Sequence, residues 1–335
     1  MSETTNTRIY FAQRPDGLPG PECYDIRTEP LPTIGDDDVL VAVRYLSLDP
    51  YMRGRMTDRK SYVPGFVLGE VLQAGAVGEV IASKNMRFPV GTHVLGMMGW
   101  EQYSRVPGGR GLTAVDPSLA PLSYRLGVLG MPGLTAYVGL LDYGEPVEGE
   151  TVYVSAAAGA VGQVVGQIAK IKGCRVVGSA GSDAKVAYLK ALGFDEAFNY
   201  KREESLFKAL KRCCPQGIDV YFDNVGGETL DAALALANDF ARFPICGMIS
   251  QYNKARPDPL YNLINTLVRR IRISGFIVSD HHDRMPEFLA DVGGWIKAGK
   301  IQYREDIAEG IAAAPEAFRR VLTGAKLGKQ LVKIS

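Results

Sequence analysis

Apolar positions along this chain show two textures, and the change comes near Ser123. Before it, short runs such as VLVAVRYLSL (39–48), FVLGEVLQAG (66–75), VGEVIAS (77–83) and GTHVLGMMGW (91–100) are separated by Gly and Pro. Runs of strand length with that punctuation predict a compact β-barrel-like domain. After it, YRLGVLGMPGLTAYVGLLDYG predicts a helical stretch interrupted at Pro132. Strand-like and helix-like patterns then alternate: strand 151–155, helix 160–171, strand 174–178, helix 183–192, strand 196–199, helix 203–212, strand 218–223, helix 228–237, and strands 242–246 and 271–278. Such alternation predicts an α/β fold with a parallel, doubly wound sheet. The tail, IQYREDIAEGIAAAPEAFRRVLTGAKLGKQLVKI, predicts a short helix at 315–323 and a last strand that returns to the first domain.

One segment of the second texture carries a ligand signal. TVYVSAAAGAVGQVVGQIAKIKGCRVVG sets a strand, a turn of small residues, a helix and a second strand in succession. The turn Ala157-Ala158-Gly159-Ala160-Val161-Gly162 is a G-x-G-x-x-G fingerprint with Ala in first place. Gly159 lets main-chain N–H groups approach a pyrophosphate at the helix N-terminus, and Gly162 lets helix and strand pack closely. An NAD site then wants a carboxylate at the tip of the second strand, for the ribose 2′-hydroxyl. Here the tip reads Gly178-Ser179-Ala180-Gly181-Ser182, the first acid is Asp183, and Lys185 follows. Small residues leave room for a 2′-phosphate, a hydroxyl donates to it and a lysine answers its charge. The pattern therefore points to NADP(H) over NAD(H).

Composition changes this picture little. The 335 residues are 46% hydrophobic and 22% charged with a formal net charge of +1, ordinary for a soluble two-domain protein. That balance offers no electrostatic footprint for nucleic acid or an anionic membrane, and the stretch Thr151–Ala169 is too polar to predict a span. The N-terminus lacks the basic-then-apolar layout of a signal peptide, and a cytoplasmic location is expected. Five cysteines with no CxxC suggest reduced thiols. Three histidines with no HExxH leave no metal motif.

Taken together, YLSLDPYMRGRM (45–56), GVLGMPGLTAY (127–137), AAAGAVGQVVGQIAKIKGCRVVG (156–178), GSDAKVAYLKALGFDEAFNYK (181–201), VYFDNVGGE (220–228), ICGMISQYN (245–253), GKIQYRE (299–305) and LGKQLVKI (327–334) run nearly the length of the chain. They resemble the zinc-independent medium-chain dehydrogenase/reductase superfamily, in the branch of leukotriene B4 12-hydroxydehydrogenases, prostaglandin reductases and NADPH-dependent alkenal double-bond reductases. The resemblance implies a GroES-like β-barrel catalytic domain (1–123 and 301–335) and a Rossmann domain (124–300) that binds NADPH or NADP+. It also implies a homodimer. It places Ala158, Gly159, Ala160 and Val161 on the pyrophosphate and Lys185 and Tyr200 on the 2′-phosphate. Asn224, the run Cys246 to Tyr252 (with Gly247 and Ser250) and the strand Phe276-Ile277-Val278 fall on the nicotinamide half. Where the branch often carries Asn before its closing LGK-like motif, this chain has Lys326, which still suits a phosphate.

Zinc-dependent members of the superfamily hold metal with a Cys and a His where this chain offers Ser47 and Leu68. With neither a thiolate nor an imidazole there, the expected reaction is conjugate reduction of an enal or enone, with hydride added to the β-carbon. Tyr252, after the strand RFPICGMIS, is expected at the carboxyl edge of the sheet, orienting the cofactor's ribose hydroxyl and stabilising the enolate. Tyr51 is a second candidate or a packed tyrosine, and Arg53 and Arg55 brace the loop or meet phosphate. Met97, Met98, Trp100 and Tyr62 are expected in the core, with a pocket wall as the alternative. Two rivals stay open, a quinone oxidoreductase and a non-catalytic NADPH-binding structural protein.

Overall fold

The computed structural model describes residues 5–334, in two compact units. One runs up to Leu126 and resumes over Glu305–Lys326 and from Gln330 onward; the other comprises Gly127–Arg304 with Leu327–Lys329.

In the first unit, β1 (Thr5–Phe11) and β2 (Tyr24–Pro30) form an antiparallel pair. Then come β3 (Val39–Ser47), the one-turn α1 (Met52–Arg55), β4 (Gln73–Ser83), β5 (His93–Gly99), β6 (Tyr103–Val106) and β7 (Thr113–Ala114). The apolar runs at 66–75 and 77–83 are not two strands. Residues 66–72 hold turns and one isolated bridge, and the single strand β4 takes up the rest. Gly78 makes that continuity possible: it passes the Ala42 carbonyl at a register shift between Val43 and Tyr45, where a side chain would collide.

In the second unit, α2 (Met131–Val138) carries Pro132 in its first turn and passes directly into a π-helical turn, Gly139–Gly144. The proline opens this helix and does not interrupt it, because an N–H in the first turn has no intrahelical partner to lose. There follow β8 (Thr151–Val154), α3 (Gly162–Ile171), β9 (Arg175–Ala180), α4 (Asp183–Ala191), β10 (Glu196–Asn199) and α5 (Leu206–Cys213). The unit continues with β11 (Ile218–Phe222), α6 (Gly227–Leu236), β12 (Ala237–Ile245), α7 (Asn265–Val268), β13 (Arg272–Gly275) and α8 (Met285–Lys297). The six strands are all parallel, in the order β10-β9-β8-β11-β12-β13. Chain order reverses between β8 and β11, and the crevice beyond the carboxyl ends of those strands is where open α/β sheets take ligands.

Three boundaries differ clearly from the sequence pattern, and one is the start of β12, which lies at Ala237 and not at 242. β13 ends at Gly275, paired with the last residue of β12, so Phe276, Ile277 and Val278 lie beyond the sheet. Past Ile245 the neighbouring chain turns away, with Cys246 and Gly247 N–H bonded to the Asp223 carbonyl, and leaves no ladder to continue. Helix α5 starts only at Leu206, where the Ser205 hydroxyl accepts the Lys208 N–H and caps it.

The chain then returns to the first unit through β14 (Glu305–Glu309), α9 (Ala314–Thr323) and β15 (Lys329–Lys333). Seven strands are ordered β14-β15-β3-β4-β5-β7, with β6 also on β3. β3 pairs antiparallel with β4, and also with β6 along Val39–Ala42 and with β15 along Tyr45–Ser47. Its residues Val39 to Val43 are all buried. Against them pack Trp100 and Phe318, whose ring centroids lie 6.0 Å apart.

Candidate active site

The turn after β8 is shaped by what its residues lack. Ala157, in the place of the first fingerprint glycine, is fully buried and donates its N–H to the Ser179 carbonyl of β9 at 3.0 Å. Its methyl fits because Gly178 stands opposite: a Cβ there would meet Ala157 Cβ at 2.9 Å and the Phe194 ring at 2.9 Å. The glycine missing from the turn is thus supplied by the neighbouring strand. Gly162 is needed in its own right, since a Cβ would lie 2.7 Å from both the Ala156 carbonyl and Ala157 Cα. Helix α3 starts there with no side chain capping it, so its N-terminal N–H groups and positive dipole end face the turn formed by Ala158, Gly159, Ala160 and Val161. A pyrophosphate fits that arrangement.

At the tip of β9, Ser182 caps α4, its hydroxyl accepting the Lys185 N–H at 3.4 Å. Asp183, the first acid, is engaged by Asn199 at 2.8 Å and by Arg202 at 2.7 Å. Tyr200 closes the other side: a Cβ on Gly181 would lie 3.0 Å from its hydroxyl. Burial pushes that phenol above its ordinary pKa, which keeps it a neutral donor. Gly181, Ser182, Lys185 and Tyr200 thus gather around one strand tip whose nearest carboxylate is already paired. Lys201 and Arg202, which the sequence reading passed over, add two cations on the same loop; the basic run Tyr200-Lys201-Arg202 was the available signal.

At the switch point, the Asn224 side chain donates to the Ser155 carbonyl at 2.8 Å, and its main-chain N–H goes to Ser155 Oγ at 2.9 Å. Beneath it lies Asp223, fully buried and absent from the sequence reading. One of its carboxyl oxygens accepts from Tyr221 Oη at 2.6 Å, Ser155 Oγ at 3.2 Å, and the Val225 and Gly226 N–H groups at 2.8 Å each. Burial raises its pKa despite those donors. It fixes the two loops that frame the crevice, a role that only the fold reveals.

A cavity of about 510 Å³ opens beside these loops, lined by Cys246, Gly247, Met248, Tyr252, Phe276 and Ile277, with Tyr143 and Asp280 among its other walls. Tyr252 Oη accepts the Met248 N–H at 3.1 Å, which anchors the phenol at the wall and strengthens it as a donor. Ser250 donates to the Val225 carbonyl at 2.7 Å. Burial pushes the Cys246 thiol up to about 12, so it lines the cavity as a neutral, weakly polar group. Phe276 stacks on Tyr143 with centroids 5.0 Å apart, and Tyr143 bonds His281 Nε2 at 2.9 Å. Val278 begins the 3₁₀ turn that follows. Tyr143 gave no signal in the sequence, because its helical stretch reads as core.

The remaining candidates lie in the first unit. Tyr51 is half-buried in the loop after β3, and burial raises its pKa. Arg53 donates to the Gly17 carbonyl at 2.7 and 3.1 Å, and Arg55 to the Pro64 carbonyl at 2.9 Å while lying 4.0 Å over the Phe66 ring. Both arginines brace loops. Met98 and Trp100 are core residues, whereas Met97 and Tyr62 are exposed, so packing does not account for those two. Ser47 bonds Asp49, and among the described residues no three His, Cys, Asp or Glu side chains gather as a metal-holding group. Lys326 closes the first unit's penultimate segment, between α9 and β15.

A doubly wound parallel sheet with a small-residue turn at its switch point and an acid-free second strand defines a dinucleotide-binding oxidoreductase unit. Residues 7–115 match the family described as the N-terminal domain of oxidoreductase, and residues 160–292 the one described as zinc-binding dehydrogenase. The chain is 49% identical over 303 residues to the NADP(+)-dependent 2-alkenal reductase of Nicotiana tabacum, covering 90% of this chain and 88% of that one. It is 46% identical over 322 residues to prostaglandin reductase 1 of Rattus norvegicus, covering 95% and 96%. The crystal structure of CurA from Vibrio vulnificus in complex with NADPH superposes with a TM-score of 0.92 at 44% identity, covering 98% and 99%. The chain belongs to the zinc-independent medium-chain dehydrogenase/reductase superfamily, in the branch of NADP-dependent alkenal, prostaglandin and curcumin reductases.

Proposed function

We propose that this protein reduces the C=C bond of α,β-unsaturated aldehydes and ketones, using NADPH. The observation that carries the reading is the pairing of an acid-free β9 tip, ringed by Lys185, Tyr200, Lys201 and Arg202, with an aromatic-walled cavity at the switch-point end of the same sheet. Kinship with reductases named for alkenals and prostaglandins supports the substrate class. When bound, NADPH supplies the hydride. The uncapped α3 terminus would hold its pyrophosphate, and Lys185 and Tyr200 its 2′-phosphate. Asn224, Cys246 and Phe276 would border its nicotinamide end.

Tyr252 does the work at the reacting end. Its phenol, anchored by the Met248 N–H, donates to the oxygen that gains charge as the β-carbon is reduced, either directly or through a ribose hydroxyl. The cavity wall of Met248, Phe276 and Ile277 suits a carbon chain. NADPH consumption against a panel of 2-alkenals, enones and quinones tests the proposal. Turnover of conjugated alkenals or enones ahead of quinones is expected; quinones alone, or no turnover with tight NADPH binding, would reject it. In the same assay Tyr252→Phe should lower kcat about 100-fold, with NADPH affinity changed by less than about twofold. An unchanged kcat would remove Tyr252 from this role.

A homodimer in the cytoplasm belongs to the same proposal. Tyr261, Ile264, Leu267 and Val268 are exposed on and before α7, next to β13, the unpaired edge of the sheet. An apolar patch beside an open strand edge is what a second copy would cover.

A further inference from the structure

We propose that Arg304 is an additional cofactor-phosphate-binding residue, its backbone clamped by Gln163 against the turn that opens α3. The inference rests on the dinucleotide reading of that turn. Gln163 is the second residue of α3 and is fully buried. Its amide answers both main-chain groups of Arg304: Nε2 donates to the carbonyl at 3.2 Å and Oε1 accepts the N–H at 3.0 Å. One turn on, buried Gln167 treats Gln302 the same way, with both bonds at 2.8 Å. Two side-chain amides thus pair with residues 302 and 304 as a neighbouring strand would. From the other side, the Lys329 N–H reaches the Arg304 carbonyl at 2.9 Å, and the adjacent Gly328 N–H reaches the Ala158 carbonyl of the turn at 2.9 Å. The Arg304 backbone is therefore one residue step from the pyrophosphate turn and fixed by three hydrogen bonds.

The side chain is exposed and extends toward α4, its guanidinium 6.0 Å from the centroid of the Tyr188 ring. Tyr188 lies three residues after Lys185 and donates to Gln163 Oε1 at 2.6 Å. Burial pushes its phenol up to about 12, so it remains a donor and the link between the two helices persists. Among the described residues no carboxylate forms an ion pair with Arg304. Two buried amides thus fix the backbone of a permanently charged arginine, unpaired with any carboxylate among the described residues, beside the first turn of α3. A cation in that position is unfavourable until an anion stands between it and the helix dipole. A phosphate ester supplies that anion, and a guanidinium matches its oxygens.

Fluorescence titration of NADPH and NADH into the full-length wild type, Arg304→Ala, Arg304→Lys and Lys185→Ala tests this. Arg304→Ala should weaken NADPH binding about five- to tenfold, and Arg304→Lys should restore it to within about twofold. Loss for NADPH alone identifies the 2′-phosphate as the group contacted, and equal loss for NADH identifies the pyrophosphate. Unchanged affinity for both nucleotides in Arg304→Ala overturns the inference while the wild-type and Lys185→Ala titrations leave the cradle reading intact. Arg304→Lys as weak as Arg304→Ala also overturns it, since the effect would then not follow charge. A wild type that binds neither nucleotide overturns both.

Discussion

Lys185 occupies the third position of α4, in the first turn, where the helix dipole disfavours a positive charge. Ser182 caps the terminus, and Asp183 is held by Asn199 and Arg202. In the proposed reading, the cofactor's 2′-phosphate would offset that cost. Lys185→Ala is accordingly expected to raise KM for NADPH about tenfold and KM for NADH less than about twofold. Equal effects on both cofactors in steady-state kinetics would return it to an ordinary surface lysine. The lysine and the missing acid are both legible in the sequence, because each is a matter of residue type near a strand end. The buried anchor Asp223 is not legible, nor is the Met248 N–H that fixes Tyr252, because each depends on which loops meet.

At the scale of elements, the alternation from β8 to β11 reads well from sequence because the apolar runs of β8, β9 and β11 are separated by helical stretches, two of which, α4 and α5, open on a serine cap. The failures have local causes. Residues 66–72 are as apolar as a strand but include Gly69 at φ 81°, a turn conformation open to glycine. Helix α8 went unread because the pair Gly293-Gly294 lowers its helix propensity, whereas Pro286 sits in the first turn, where it loses no bond. It forms nonetheless through packing, with Phe288 and Val292 fully buried and Tyr137 bonding both Glu287 and Asp291 at 3.0 and 2.7 Å. The turn after β8 fits tightly against β9. Gly178→Ala should cost about 1–3 kcal/mol, read as a lower denaturant midpoint, because neither the Ala157 methyl nor the Phe194 ring has room to yield. An unchanged midpoint would mean that the turn is looser than its contacts indicate.

For the whole molecule, no helix among the described residues is long and apolar enough to cross a membrane. The apolar residues on and around α7 carry a separate prediction: the protein should sediment at twice the chain mass, and Leu267→Glu should shift it toward the monomer. A wild type sedimenting at the single-chain mass would refute the dimer and leave the chemistry untouched. That chemistry is tested most directly by the fate of one hydrogen. With NADPH deuterated at the transferred position and a 2-alkenal as substrate, the product should be the saturated aldehyde with deuterium on its β-carbon. Deuterium on the carbonyl carbon of an allylic alcohol, or none in any product, would contradict the account.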